Sequence, residues 1–191
     1  SDKGISALEG FFKNLKQLEE FKFLVSNCKE VTDKGLRSLS ESLKHLTEIR
    51  TFEISVHNCD SVTDKGAQNI LDIVGNSLGK LETFSVEFDG CMDITSKTPK
   101  TILELSKQIS KDIKVVELNF GYCISIKDEG LNSIAELVKS LEGSKLTKLQ
   151  VQFSGCESIT EDAFENLLDA VRGLPESLKI LNLQFNNCYN L

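Results

Sequence analysis

The sequence predicts an α/β solenoid that curves and winds right-handed. Parallel strands form its concave face and helices its convex face, through about six repeats. Three observations predict it. Cysteine recurs at Cys28, Cys59, Cys91, Cys123, Cys156 and Cys188, at intervals of 31, 32, 32, 33 and 32 residues. Before each cysteine, apolar residues alternate with polar ones at a spacing of two, the period of a strand burying one face. After each of the first five, the apolar spacing becomes helical. Self-similarity at a period of about 32 residues marks stacked units, each burying its apolar face against its neighbours.

The strand comes first. Seven places before the cysteine stand Phe21, Phe52, Phe84, Val116, Leu149 and Leu181; five before, Phe23, Ile54, Val86, Leu118, Val151 and Leu183; three before, Val25, Val56, Phe88, Phe120, Phe153 and Phe185. A further apolar column lies ten before, from Leu18 to Leu178. The last four members of the minus-three column predict a row of stacked phenylalanines. The residue just before each cysteine is Asn27, Asn58, Gly90, Tyr122, Gly155 or Asn187. Asn and Gly tolerate positive φ, which predicts a sharp turn here; Tyr122 breaks the pattern, with Gly121 one place earlier.

The helix follows. Thr32, Thr63, Thr95 and Thr160 precede apolar runs of helical period and read as N-caps, with Lys127 in the fourth repeat. Asp33, Asp64, Asp128 and Glu161 then place negative charge at the positive end of the helix dipole. Gly35, Gly66 and Gly130 recur in the first turn, where glycine costs about 1 kcal/mol against alanine. Close approach between successive repeats is the expected reason. Leu131, Ile134, Ala135, Val138 and Leu141 form one core stripe, and Phe164, Leu167, Leu168, Val171 and Leu174 another, ended by Gly173 and Pro175. The third repeat carries Ser96, Thr98 and Pro99 instead, which predicts a displaced helix, since proline is accepted in a first turn.

Strands that all run one way must be joined by right-handed crossovers. Strands pack at ~4.8 Å and helices at roughly 8–10 Å, so the helical side is longer and the solenoid curves.

The stretch Leu146 to Cys156 reads Leu-x-x-Leu-x-Val-x-Phe-x-x-Cys. It resembles the leucine-rich repeat signature, with cysteine at its asparagine-or-cysteine position in every repeat. Val31 to Gly35 and Val62 to Gly66 both read Val-Thr-Asp-Lys-Gly, and they resemble the cysteine-containing repeats of F-box-type proteins. The repeat length and full helix are closer to the ribonuclease-inhibitor-like class. The likeness covers residues 1–191 as one domain, because Ser1-Asp2-Lys3-Gly4 is in register with Thr32 to Gly35. It implies a non-catalytic scaffold that binds a protein on its concave face.

Composition narrows the function. The chain is 40% hydrophobic and 27% charged, with a net charge of −7, which argues against nucleic-acid binding. No run of ~18 apolar residues is present, so no membrane span is expected. Asp2, Lys3, Glu9 and Lys13 do not read as a secretory signal. The cytosol or nucleus is the expected compartment. One cysteine per repeat points to a structural role as buried, reduced thiols, with disulfides a second reading. Single cysteines do not gather four ligands around one metal ion, and no metal or cofactor is expected. The histidines are His45 and His57. No phosphate loop or nucleophile elbow is present, and His57 with Cys59 is not expected to be a catalytic pair.

The outward strand residues form the expected partner surface. They are Lys22 and Leu24; Glu53, Ser55 and His57; Ser85, Glu87 and Asp89; Glu117 and Asn119; Gln150 and Gln152; Asn182 and Gln184, with Tyr122 beside them. Glu53, Glu87, Asp89 and Glu117 make an acidic centre suited to a basic segment of a partner. Lys34, Lys65 and Lys97 form a row at the helix starts that reads as solvated charge. Neither end carries a recognisable polar cap. Membership in a longer array is the first expectation, and head-to-tail self-association the second.

Overall fold

The computed structural model describes residues 1–8, 10–74 and 78–191. Six strands, β1 (Glu20–Ser26), β2 (Thr51–His57), β3 (Thr83–Glu87), β4 (Val115–Asn119), β5 (Lys148–Gln152) and β6 (Ile180–Gln184), lie side by side in chain order. All five neighbouring pairs are parallel, and each sequence column becomes a row: Phe21, Phe52, Phe84, Val116, Leu149 and Leu181 are aligned strand to strand. The helices alternate with them: α1 (Asp2–Ser6), α2 (Asp33–Leu43), α3 (Asp64–Val74), α4 (Lys97–Ser106), α5 (Asp128–Ser140) and α6 (Glu161–Val171). This is the predicted α/β solenoid.

The inward strand rows make the core. Ile54, Val86, Leu118 and Val151 are fully buried between sheet and helices. Phe88, Phe120, Phe153 and Phe185 stack as expected, with ring centroids 6.4, 5.3 and 6.0 Å apart. A second row runs through Phe21, Phe52 and Phe84 at 6.0 and 6.3 Å, with Phe12 set edge-on against Phe21 at 5.9 Å. Such ring pairs add about 0.5–1.5 kcal/mol each beyond the area they bury.

All six turn residues have positive φ, including Tyr122 at 55°. Gly121 does not take over that role. The Tyr122 amide donates to the Ser154 carbonyl at 2.6 Å, which holds the turn in the shape its neighbours share. Gly121 is small for another reason: a Cβ there would overlap Asp89 Oδ1 and approach Gln152 Nε2 to 3.1 Å.

The six cysteines are free thiols, five of them buried. From the third repeat on, each thiol donates to a strand-end carbonyl of the preceding repeat. Cys91 Sγ reaches Val56 O at 3.2 Å, Cys123 Phe88 O at 3.0 Å, Cys156 Phe120 O at 3.2 Å and Cys188 Phe153 O at 3.2 Å. Burial pushes the Cys91 and Cys156 thiols up to about 12 and that of Cys123 higher still. These sulfurs remain neutral weak donors at physiological pH, not nucleophiles.

The acid at each helix start has a partner that the helix-dipole reading did not supply. Asp2 Oδ1 accepts from the Thr32 amide at 2.9 Å and Oδ2 from its hydroxyl at 2.7 Å. Asp33 does the same for Thr63 at 2.8 and 2.8 Å, Asp64 for Thr95 at 2.9 and 2.6 Å, and Asp128 for Thr160 at 2.8 and 2.8 Å. Each carboxylate therefore clasps the next repeat. Thr32 and Thr63 also cap their own helices, accepting from the amides of Lys34 and Lys65. Thr160 makes no side-chain cap. Where Ser96 replaces the acid, its Oγ accepts from the amide of Lys127, which replaces the threonine.

The first-turn glycines make room for this clasp. A Cβ on Gly66 would overlap Asp33 Oδ1 and meet Asp33 Cα at 3.2 Å, and the Gly66 amide donates to that oxygen at 3.0 Å. The expected close approach of repeats is what the structure shows. In the third repeat Thr98 stands at the glycine place, and its hydroxyl donates to Asp64 Oδ1 at 2.6 Å. There α4 begins at Lys97, one place later in the repeat than its equivalents, with Pro99 buried in its first turn. Gly173 does not end α6 as a left-handed cap. The helix stops at Val171, and the Gly173 amide donates to Ala170 O at 3.2 Å.

Replacing Gly66 with alanine should destabilise the protein by about 1–3 kcal/mol, the range for overpacking a fitted site. Gly79→Ala, where a Cβ meets nothing within 4 Å, should change stability little. Denaturant titration of the two variants reads the difference, and equal stability would remove the clasp as the reason for Gly66.

Candidate functional site: the concave face

Strand alternation turns one residue in two out of the core, and register sets those residues in rows across the sheet. Lys22 lies beside Glu53, Glu53 beside Ser85, Ser85 beside Glu117, then Gln150 and Asn182. The next row is Leu24, Ser55, Glu87, Asn119, Gln152 and Gln184. Leu24 is 61% exposed and Tyr122 51%, large apolar surfaces on a polar face.

One predicted contact residue is not accessible. Ser85 points outward but is only 2% exposed. Its short side chain lies between Glu53 and Glu117, two longer ones in register. It packs between these neighbours and is removed from the contact surface.

The acidic centre is partly answered from within. Lys22 Nζ sits 3.4 Å from Glu53 and 3.1 Å from Glu20. Lys148 pairs with Glu117, a partner that strand periodicity did not reveal because Lys148 belongs to a row one step outside the predicted set. His57 Nδ1 lies 2.8 Å from Asp89 Oδ2. Glu87 is the exception: half-buried, it makes no ion pair among the described residues. Toward β6 the face is held by neutral contacts, with Asn182 Nδ2 to Gln150 Oε1 at 3.5 Å and Gln184 Nε2 to Asn182 Oδ1 at 3.3 Å.

Asp89 is the strained member. Its Oδ1 is buried with no hydrogen-bond partner among the described residues. Burial pushes its carboxyl above the usual value, against the pull of His57. A carboxylate with an unanswered oxygen costs stability where it stands. His57 and Cys59 do not form a thiol pair: the imidazole faces Asp89, while Cys59, fully buried, donates to the His57 carbonyl at 3.5 Å. Among the described residues, no three of His, Cys, Asp and Glu are placed to hold a metal ion, and no helix is long and apolar enough to cross a membrane.

The structure also adds residues that the strand pattern left out. Met92 is 54% and Ile124 53% exposed, each one place after a cysteine. Ser125 Oγ donates to the Met92 carbonyl at 3.0 Å, which sets the two turns side by side. With Tyr122 they give the turn edge an apolar rim. The available signal was an apolar residue in a column that holds Lys29, Asp60 and Glu157 in other repeats and Tyr189 in the last.

Asp89→Asn should leave the melting temperature at neutral pH unchanged or raise it, because the amide removes a buried charge. The raised carboxyl makes ionised Asp89 unfavourable above its ordinary value of 3.8, and that cost disappears as pH falls and the group is protonated. The variant's advantage should therefore shrink on acidification. Thermal melts across pH measure it, and a clear loss of stability at neutral pH would mean that the His57 pair outweighs the burial.

No protein-family model matches this chain, and no curated protein matches it in sequence. Solved structures do. The C-terminal domain of tropomodulin from Caenorhabditis elegans is similar over 90% of this chain and 92% of its own, with a TM-score of 0.57 and 15% identity. Rad7, from its complex with Elc1 in yeast, aligns over the whole of this chain and 64% of its own, with a TM-score of 0.39 and 14% identity. This chain thus spans just under two thirds of Rad7's length. The tropomodulin likeness is one of fold, and the architecture is that of a leucine-rich-repeat-like solenoid.

Proposed function

We infer that this protein is a non-catalytic interaction scaffold of the cytosol or nucleus. It is built from cysteine-containing, ribonuclease-inhibitor-like repeats, and it binds a protein partner on its concave face. The observation that carries this reading is Glu87, a half-buried carboxylate with no ion pair among the described residues, at the middle of an ordered polar row. A basic side chain of the partner completes it, with Ser55 and Asn119 on either side and Tyr122 as an aromatic anchor. Support at the level of fold comes from the solenoid architecture. Capture of partners by the wild-type chain, set against variants, tests it. Glu87→Lys should weaken partner binding at least about tenfold, whereas Glu53→Lys and Glu117→Lys should act less, since Lys22 and Lys148 already answer those charges. Binding that Glu87→Lys leaves unchanged would remove the reading.

A second reading, end-to-end self-association, is favoured by the face that β6 presents. Leu181 is 44% exposed, while its row equivalents Phe84, Val116 and Leu149 are fully buried. Tyr189 and Leu191 are exposed as well, at 73% and 41%. At the other face β1 has no second strand partner among the described residues; Phe21 is covered by Phe12, and Phe23 and Val25 are half-buried in the same register. A second copy would continue the stack heterologously. Light scattering should then show mass rising with concentration and reverting to monomer in Leu181→Lys. A monomer at micromolar wild-type concentration would eliminate this association.

A further inference from the structure

The helix starts carry a charge pattern that the concave face does not explain. Two clefts open there, at equivalent places two repeats apart. The first, of about 330 Å³, is lined by Lys34, Arg37 and Lys65 with Ser61 and Asn69. The second, of about 340 Å³, is lined by Lys97, Lys100 and Lys127 with Ser125 and Ser133. Lys34 and Lys97 hold one repeat position, Arg37 and Lys100 another, Ser61 and Ser125 a third, and Asn69 and Ser133 a fourth. We propose that this edge is a docking surface for an extended acidic segment of a partner protein, whose carboxylates occupy the two clefts in succession.

Four observations support it. All six cations are exposed, and none is in an ion pair among the described residues. Asp33, the carboxylate that lines the first cleft, has both oxygens engaged by Thr63 and Gly66. At the second cleft the clasping acid is missing, because Ser96 stands in its place, and Glu129 is the one carboxylate lining it. In the first cleft, Asn69 Nδ2 is a buried donor with no acceptor among the described residues. An unanswered amide donor beside three cations is the complement of a carboxylate oxygen.

The pattern also limits the partner. At helix spacing the clefts lie roughly 20 Å apart, a span an extended chain of about six residues covers. Beyond Lys127 the edge turns acidic, with Glu129, Glu161 and Asp162 at the next helix starts. A long polyanion would run into that repulsion, and a short acidic stretch would not. A peptide therefore fits better than nucleic acid or an anionic membrane.

A fluorescein-labelled polyglutamate peptide, titrated by anisotropy into the whole chain, tests the proposal. Binding should be saturable and should weaken as salt rises. The double variant Lys97→Glu, Lys100→Glu should lower affinity about tenfold or more. Lys16→Glu with Lys179→Glu, the same change in net charge away from the clefts, should change it less than about threefold. Circular dichroism melts identify any variant that fails to fold, and Lys97→Gln with Lys100→Gln then replaces the reversal. No binding by the wild type, equal loss in both double variants, or tighter binding of duplex DNA or anionic vesicles would each overturn the proposal.

Discussion

Four junctions between repeats of this protein are closed by a carboxylate from the repeat before, and a fifth by the hydroxyl of Ser96. Asp33 accepts the amide and hydroxyl of Thr63 and the amide of Gly66, all three in the next unit. Hydrogen bonds to a charged acceptor contribute about 1.5–3 kcal/mol each, more than neutral ones. They also answer the orphan amides at the start of a helix, which would otherwise be left unpaired against a neighbour. The contact therefore joins helix capping to repeat stacking. Gly66 is small because of it, and Thr63 is both a cap for its own helix and a ligand for the previous one.

The thiol row does the same work at the other end of the turn. Cys123 donates to Phe88 O, a carbonyl that also receives the Cys91 amide. A small apolar side chain with one weak donor fits a site that is almost entirely apolar, and burial keeps it protonated. Between these two rows, the sheet and the phenylalanine stacks fix the spacing of strands. Little freedom remains in the inward half of any repeat, so variation among repeats collects on the outward strand rows and at the helix starts.

What was legible in the sequence follows from what repeats every unit. The alternation in Phe84, Val86 and Phe88 located a strand and its buried face, and Asn58 and Gly90 located the turn, because each is a local preference. The acids do stand in the first helical turns, but their clasp was not legible because its partners lie 30 to 32 residues apart. Its signature is nonetheless present in the columns: wherever a repeat has Asp, the next has Thr, and where Ser96 interrupts, Lys127 follows. On the concave face, direction was legible and pairing was not. Lys148 was invisible as the partner of Glu117, and Ser85 looked exposed, because both depend on the length of side chains in neighbouring strands.

Carboxylates of one chemical type thus meet different fates here, and the difference separates structure from function. Asp33 and Asp64 have both oxygens engaged, and both hold neighbouring repeats together. Asp89 has one oxygen on His57 and the other buried with nothing to accept from. Glu87 beside it has no ion pair among the described residues. Half-buried Glu87 keeps access to solvent, whereas the buried Asp89 Oδ1 has no partner among the described residues and adds no stability where it stands. Unsatisfied polar groups cluster where a missing partner would satisfy them. On the proposed reading, the middle of the concave face, and not its better-paired flanks, receives the partner's basic group.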